Sequence, residues 1–192
     1  LDSTQPTWHY RPLPLGRARE DLSSMRRAQS VFITKINLAP VEQLTWLRKT
    51  IGAFRERTGF SVFEFESAIA GYYPLEKGPA CLESQSDLRK ARVLLVSGIG
   101  RPHTFEELVR KSGADIAEHM IFRDHHSYTE NDLKDVERHA ADAPVDAIII
   151  TEKDAVKLTD WKTSVPCFVS RLQARPVSSL DKFYENIDRL LL

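Results

Sequence analysis

The sequence predicts an α/β fold, a mostly parallel sheet with helices on both faces. Short apolar runs rich in branched and aromatic residues alternate with segments whose apolar residues recur at three- and four-residue steps, the rhythm of strand-helix-strand units. Several of these runs also end in glycine-containing or charged clusters: Gly98-Ile99-Gly100-Arg101-Pro102, Asp124-His125-His126-Ser127-Tyr128 and Thr151-Glu152-Lys153-Asp154. Parallel strands joined by helices gather such loops on one edge, where sites in open sheets form.

Taken in order, residues 1–29 hold Pro6, Pro12, Pro14 and Gly16 and read as an exposed loop with a short helical stretch near 22–28. The run 30–36 has the composition of a buried strand. Pro40 then suits the first turn of a helix with Val41, Leu44, Leu47, Ile51 and Phe54 on one face, and 60–65 supplies the second strand of a β-α-β unit. Between 67 and 90 the periodicity fades and Gly71, Pro74, Gly78 and Pro79 appear, which predicts an irregular linker between a first segment, 1–66, and a C-terminal α/β domain, 91–192.

Within 91–192 the pattern gives strand 92–97, helix 104–112, strand 118–123, helix 129–140, strand 145–150, short helix 153–158, strand 166–170 and a terminal helix 179–191. Thr104 with Glu107 has capping-box spacing, Thr129 can cap the helix opening Glu130-Asn131-Asp132, and Thr151 can cap the next. In the terminal helix Leu180, Phe183, Tyr184, Ile187, Leu190 and Leu191 form one apolar stripe, expected to be core.

Composition narrows the function. The 192 residues are 42% apolar and 28% charged, an ordinary soluble make-up, and 27 basic residues balance 27 acidic ones. No global charge therefore argues for nucleic acid, and an anionic ligand must be met by local cations. Cys81 and Cys167 lie far apart without C-x-x-C spacing, so neither a disulfide framework nor a zinc site is predicted, and a reducing cytoplasm is the expected setting. No apolar run approaches the roughly 20 residues that cross a bilayer. The chain opens on Leu1 within a loop-like stretch, which suggests that it is the remainder of a longer one.

The Asp124-His125-His126 cluster carries the most chemistry. An imidazole beside a carboxylate can accept or orient a proton near neutral pH. On chemistry alone a turn cap and an exposed loop histidine would use the same residues. Thr151-Glu152-Lys153-Asp154 has the form of a helix start, with acidic groups at its positive end. Gly98 and Gly100 allow a tight strand-to-helix turn but make no dinucleotide fingerprint.

Together, in order and spacing, the Gly98–Pro102 turn, Asp124-His125-His126-Ser127-Tyr128 and Thr151-Glu152-Lys153-Asp154-Ala155-Val156-Lys157 resemble the C-terminal part of the tetraacyldisaccharide 4'-kinase family, the lipid A 4'-kinases. Leu13-Pro14-Leu15-Gly16-Arg17-Ala18-Arg19-Glu20 resembles that family's Leu-Pro-x-Gly-x-x-Arg-Glu loop, although Arg17 stands where an apolar residue is expected. The resemblance implies that 1–66 is the later part of a P-loop-type kinase domain, followed by a smaller α/β domain. It implies transfer of the ATP γ-phosphoryl to the 4'-hydroxyl of tetraacyldisaccharide 1-phosphate, a lipid A precursor, with Mg2+, at the cytoplasmic face of the bacterial inner membrane. Trp8 and Tyr10 among Arg11, Arg17, Arg26 and Arg27 would suit such a surface.

By the same resemblance His125, with Asp124, partners a catalytic aspartate supplied by the N-terminal domain, Arg19 neutralises phosphate charge and Glu20 helps to arrange magnesium. No Gly-Lys-Ser or Gly-Lys-Thr occurs, so the 192 residues alone are expected to be inactive, with ATP and Mg2+ bound largely outside them. Two alternatives are a metal-dependent Asp-His-His-type phosphoesterase, with Asp154 as a further ligand, and a non-catalytic α/β binding module.

Overall fold

A computed structural model describes residues 1–81 and 88–191, and of 189–191 the backbone alone. Its strands are β1 (Ser30–Thr34), β2 (Ser61–Pro74), β3 (Arg92–Ser97), β4 (Asp115–Ile121), β5 (Ala147–Thr151) and β6 (Cys167–Pro176). Its α-helices are α1 (Val41–Thr58), α2 (Pro102–Lys111), α3 (Glu130–Asp142), α4 (Glu152–Ala155) and α5 (Asp181–Leu191). The strand order is β1-β2-β6-β5-β3-β4, and β1·β2, β3·β4, β3·β5 and β5·β6 all pair in parallel. The α/β class read from the alternation is the one observed.

The chain forms two compact units, Leu1–Ser67 with Ala174–Leu192, and Ala68–Gln173. In the first, Val31 and Ile33 of β1 face a core with Leu47 and Ile51 of α1, Met25 and Phe60. Burying each such aliphatic side chain contributes about 1.5–3 kcal/mol, which fixes α1 along that face. Val41, expected on the same face, is instead 81% exposed, because it sits at the first helical position before the stripe turns inward. Gly59, with φ 75, ends α1 by donating its N–H to the Arg55 carbonyl at 2.7 Å.

The linker expected over 67–90 is strand as far as Pro74. Gly71 and Pro74 had the look of breakers, but Ile69, Tyr72 and Tyr73 are buried and hold the segment in β2. Residues 82–87 of that linker lie outside the described residues. The terminal helix also departs from expectation, since Ala174–Leu192 belongs to the first unit: Phe183 packs edge-on against Phe32 and Phe63, with ring centroids at 5.2 and 5.7 Å. Tyr184, read as core, is 58% exposed, and the Leu190 and Leu191 side chains lie outside the described residues.

In the second unit β3 and β5 are central, and Val93 to Val96 and Ala147 to Ile150 are almost wholly buried. Such unbroken apolar runs belong to parallel strands covered on both faces. Thr129 caps α3 through a reciprocal box with Asp132, as expected in part, whereas Thr104 caps nothing: α2 already begins at Pro102, whose fixed φ suits the first turn. In this unit β5, β3 and β4 end side by side.

Candidate functional site

Ser97 of β3 pairs with Ile121 of β4, and Val96 with Ile150 of β5, so the loops after these strands leave the same edge of the second unit. They are bonded to one another through Gly98. Its N–H lies 3.2 Å from both carboxylate oxygens of Asp154, and its carbonyl accepts the His125 N–H at 3.1 Å. One residue earlier, the Ser97 carbonyl accepts the Phe122 N–H at 2.8 Å, while Lys157 Nζ donates to the His126 carbonyl at 2.9 Å.

Asp154 is fully buried. A buried carboxylate is costly unless hydrogen-bonded; this one also accepts the Thr151 hydroxyl at 2.6 Å and lies 3.8 Å from Lys157 Nζ. The Tyr128 hydroxyl is buried nearby without a hydrogen-bond partner among the described residues. Burial, and then the Asp154 charge, push its pKa far above that of an ordinary phenol, so it stays neutral. The loops meet closely at their glycines. A Cβ on Gly98 would come to 3.2 Å from Asp154 Oδ1 and from the Tyr128 hydroxyl, and one on Gly100 to 3.0 Å from Asp124 Oδ2.

The adjacent histidines have different surroundings. His125 is left-handed, with φ 60, and its side chain is 89% exposed with Nε2 at 4.0 Å from Asp124 Oδ1. Asp124 is exposed as well, so both face outward from the strand ends. His126 instead stacks on Phe122 at 4.9 Å and places Nε2 3.0 Å from Asp132 Oδ2. The backbone N–H of Thr129, followed by His126 and the Thr129 hydroxyl, holds the Asp132 carboxyl down to about 2.

Arg19 and Glu20 belong to the other unit. Both are exposed, and Glu20 forms an ion pair with Arg27 at 2.5 Å. Such a surface pair contributes little to stability.

Sequence reading missed a second polar cluster. His119 is nearly buried between Ser97 Oγ, 2.8 Å from its Nε2, and Glu106 Oε2, 3.2 Å from its Nδ1. Burial lowers the His119 pKa. The arrangement has the order of a nucleophile relay, yet Ser97 is fully buried and meets no substrate, so the cluster ties α2 to the sheet. The embedding of His119 in an apolar run hid it. Among the described residues no group of three or more His, Cys, Asp or Glu converges to hold a metal.

Fold and site together define an α/β chain of the doubly covered parallel kind, with an exposed aspartate-histidine pair carried on a braced strand-end loop. The chain belongs to the tetraacyldisaccharide-1-P 4'-kinase family, whose sequence model matches residues 1–191. It is 33% identical to a tetraacyldisaccharide 4'-kinase of Bdellovibrio bacteriovorus over 173 residues, covering 86% of this chain and 49% of the relative. It is 32% identical to one of an Anaeromyxobacter species over 196 residues, covering 100% of this chain and 50% of the relative. The chain thus spans about half the length of these curated relatives. A crystal structure of LpxK from Aquifex aeolicus in complex with ATP has the same fold, with a TM-score of 0.63 at 21% identity over 95% of this chain and 49% of that one.

Proposed function

We propose that this chain is part of a lipid kinase that transfers the ATP γ-phosphoryl to the 4'-hydroxyl of tetraacyldisaccharide 1-phosphate. The observation that carries this reading is the family match through residues 1–191, including all three strand-end motifs. The site adds an imidazole with a carboxylate neighbour, presented to solvent on a braced loop, which suits a proton-handling partner. In this reading His125, supported by Asp124, orients and supports a base supplied from elsewhere in the complete enzyme, and Arg19 meets phosphate charge.

The residues present do not by themselves fit magnesium or the nucleotide phosphates. Glu20 pairs with Arg27 at the surface, no metal-holding cluster exists among the described residues, and the sequence contains no Gly-Lys-Ser or Gly-Lys-Thr. The 192 residues alone are therefore expected to show no turnover. No helix among the described residues is long and apolar enough to cross a membrane. The lipid precursor, held in the cytoplasmic face of the inner membrane, would be met there peripherally.

The test is substitution in the full-length enzyme. His125→Ala is expected to lower kcat by roughly 10²–10⁴-fold, the range for losing a positioned acid-base partner, with a smaller effect on nucleotide binding. His126→Ala should be milder, since its ring stacks on Phe122 and approaches Asp132. Equal minor losses, or a large loss at His126 alone, would sink the assignment.

A further inference from the structure

Asp154 is the one carboxylate that the fold buries among the described residues, and helix capping does not explain why. The same Thr-x-x-Asp pairing caps α3 through Thr129 and Asp132, and there the aspartate sits near the surface, 24% exposed in its side chain. Capping α4, a helix of four residues, would need no more than that. What differs is the further partner. Asp154 reaches across to the Gly98 N–H, and the other side of Gly98, its carbonyl, receives the N–H of His125. Lys157, three residues on and over the Tyr128 ring at 5.9 Å, donates to the carbonyl of His126. The peptide before His125 and the peptide after His126 are therefore each held by a residue of another loop, Gly98 and Lys157.

We propose that Asp154 and Lys157 are positioning residues for His125, holding its left-handed backbone so that the imidazole leaves the strand edge in one direction. They touch no substrate. The proposal rests on the reading that His125 acts in phosphoryl transfer, but its physical content, a loop held by two side chains, is measurable without activity.

The experiment uses the full-length enzyme carrying Lys157→Met, Lys157→Arg or Asp154→Asn. Lys157→Met lies at the surface and keeps the test open if Asp154→Asn impairs folding. Amide hydrogen exchange at His125 and its neighbours is expected to accelerate about tenfold in Lys157→Met, as local opening becomes easier. In the same variant kcat falls about tenfold through misplacement of the imidazole, while KM for ATP and for the lipid holds within about twofold. Lys157→Arg, which keeps the donor, retains both properties. Unchanged exchange in Lys157→Met overturns the proposal, as does faster exchange with unchanged kcat in an enzyme that His125→Ala cripples. If His125→Ala is itself silent, the catalytic reading of His125 falls, and the exchange measurement alone decides whether Lys157 holds the loop.

Discussion

Adding one methyl group at Gly98 tests the packing that brings the strand-end loops together. The φ of Gly98 lies outside the left-handed region, so alanine is allowed by the backbone and should gain about 0.4–1 kcal/mol from a less flexible unfolded chain. Space decides otherwise. The new Cβ would stand 3.2 Å from Asp154 Oδ1, 3.2 Å from the Tyr128 hydroxyl and 3.3 Å from the Arg123 carbonyl. None of these yields easily, because the carboxylate is buried and held by Thr151, the phenol is boxed in, and the carbonyl is main chain. Overpacking of this kind costs about 1–3 kcal/mol. The net loss for Gly98→Ala is centred on about 1.3 kcal/mol, within about 0–2.6, a fall in Tm of roughly 3–5 °C at the centre for a chain of this size. Thermal unfolding followed by circular dichroism measures it, with Gly52→Ala as the contrast. At Gly52, inside α1, a Cβ meets nothing within 4 Å, so alanine should stabilise by up to about 1 kcal/mol. A Gly98→Ala protein stabilised as Gly52→Ala should be would refute the tight junction of Gly98, Asp154 and Tyr128.

Two further predictions concern protons. Because the Asp132 carboxyl is held below its ordinary value, its capping contribution is complete above about pH 4 and is lost as pH falls through about 2. The Thr129 amide proton, followed by NMR, should titrate with a midpoint near 2, and a midpoint at the ordinary 3.8 would remove the interaction. Burial pushes the Cys167 thiol up to about 12, whereas Cys81 is exposed. At pH 8 an aromatic disulfide reagent should therefore release one rapid equivalent from the native protein and both only in denaturant, since the thiolate is the reacting form. Two rapid equivalents would mean that Cys167 is accessible.

Most of the fold was legible because parallel strands buried on both faces leave a simple trace. Val93 to Val96 and Ala147 to Ile150 could hardly be anything else, and the stripe through Leu47 and Ile51 had no competing period. The errors came where one residue carried two meanings. Gly71 read as a breaker, yet sits buried inside β2 beside Tyr72 and Tyr73, where a side chain is not needed. Sequence adjacency assigns the terminal helix to the C-terminal domain, but Phe32 and Phe63 offer the partner its Phe183 requires. At the site, Asp124 and His125 stood out by residue type. The bracing by Asp154, Lys157 and Tyr128 did not, since Thr151-Glu152-Lys153-Asp154 looks like any helix start until tertiary contacts bury the aspartate.

A positive φ alone would not single out His125, for Lys35 and Lys90 share the conformation. Lys35 uses it to enter a short 3-10 turn, and the N–H of Lys90 donates to the Gly113 carbonyl. The Lys35 amine is tied down by Asp2 at 2.6 Å, so the left-handed residue there also places a paired side chain, and the Lys90 bond fastens two segments of the second unit. At His125 the N–H donates to the Gly98 carbonyl, the carbonyl of the next residue accepts from Lys157, and the side chain is a rigid ring with almost no packing of its own. A left-handed non-glycine residue costs about 1–2 kcal/mol, and here no burial of the imidazole offsets it. Folding would be served better by glycine or asparagine at this position. His125→Gly should therefore leave thermal stability unchanged or slightly raised while abolishing whatever the imidazole does, which separates the needs of the loop from those of the ring.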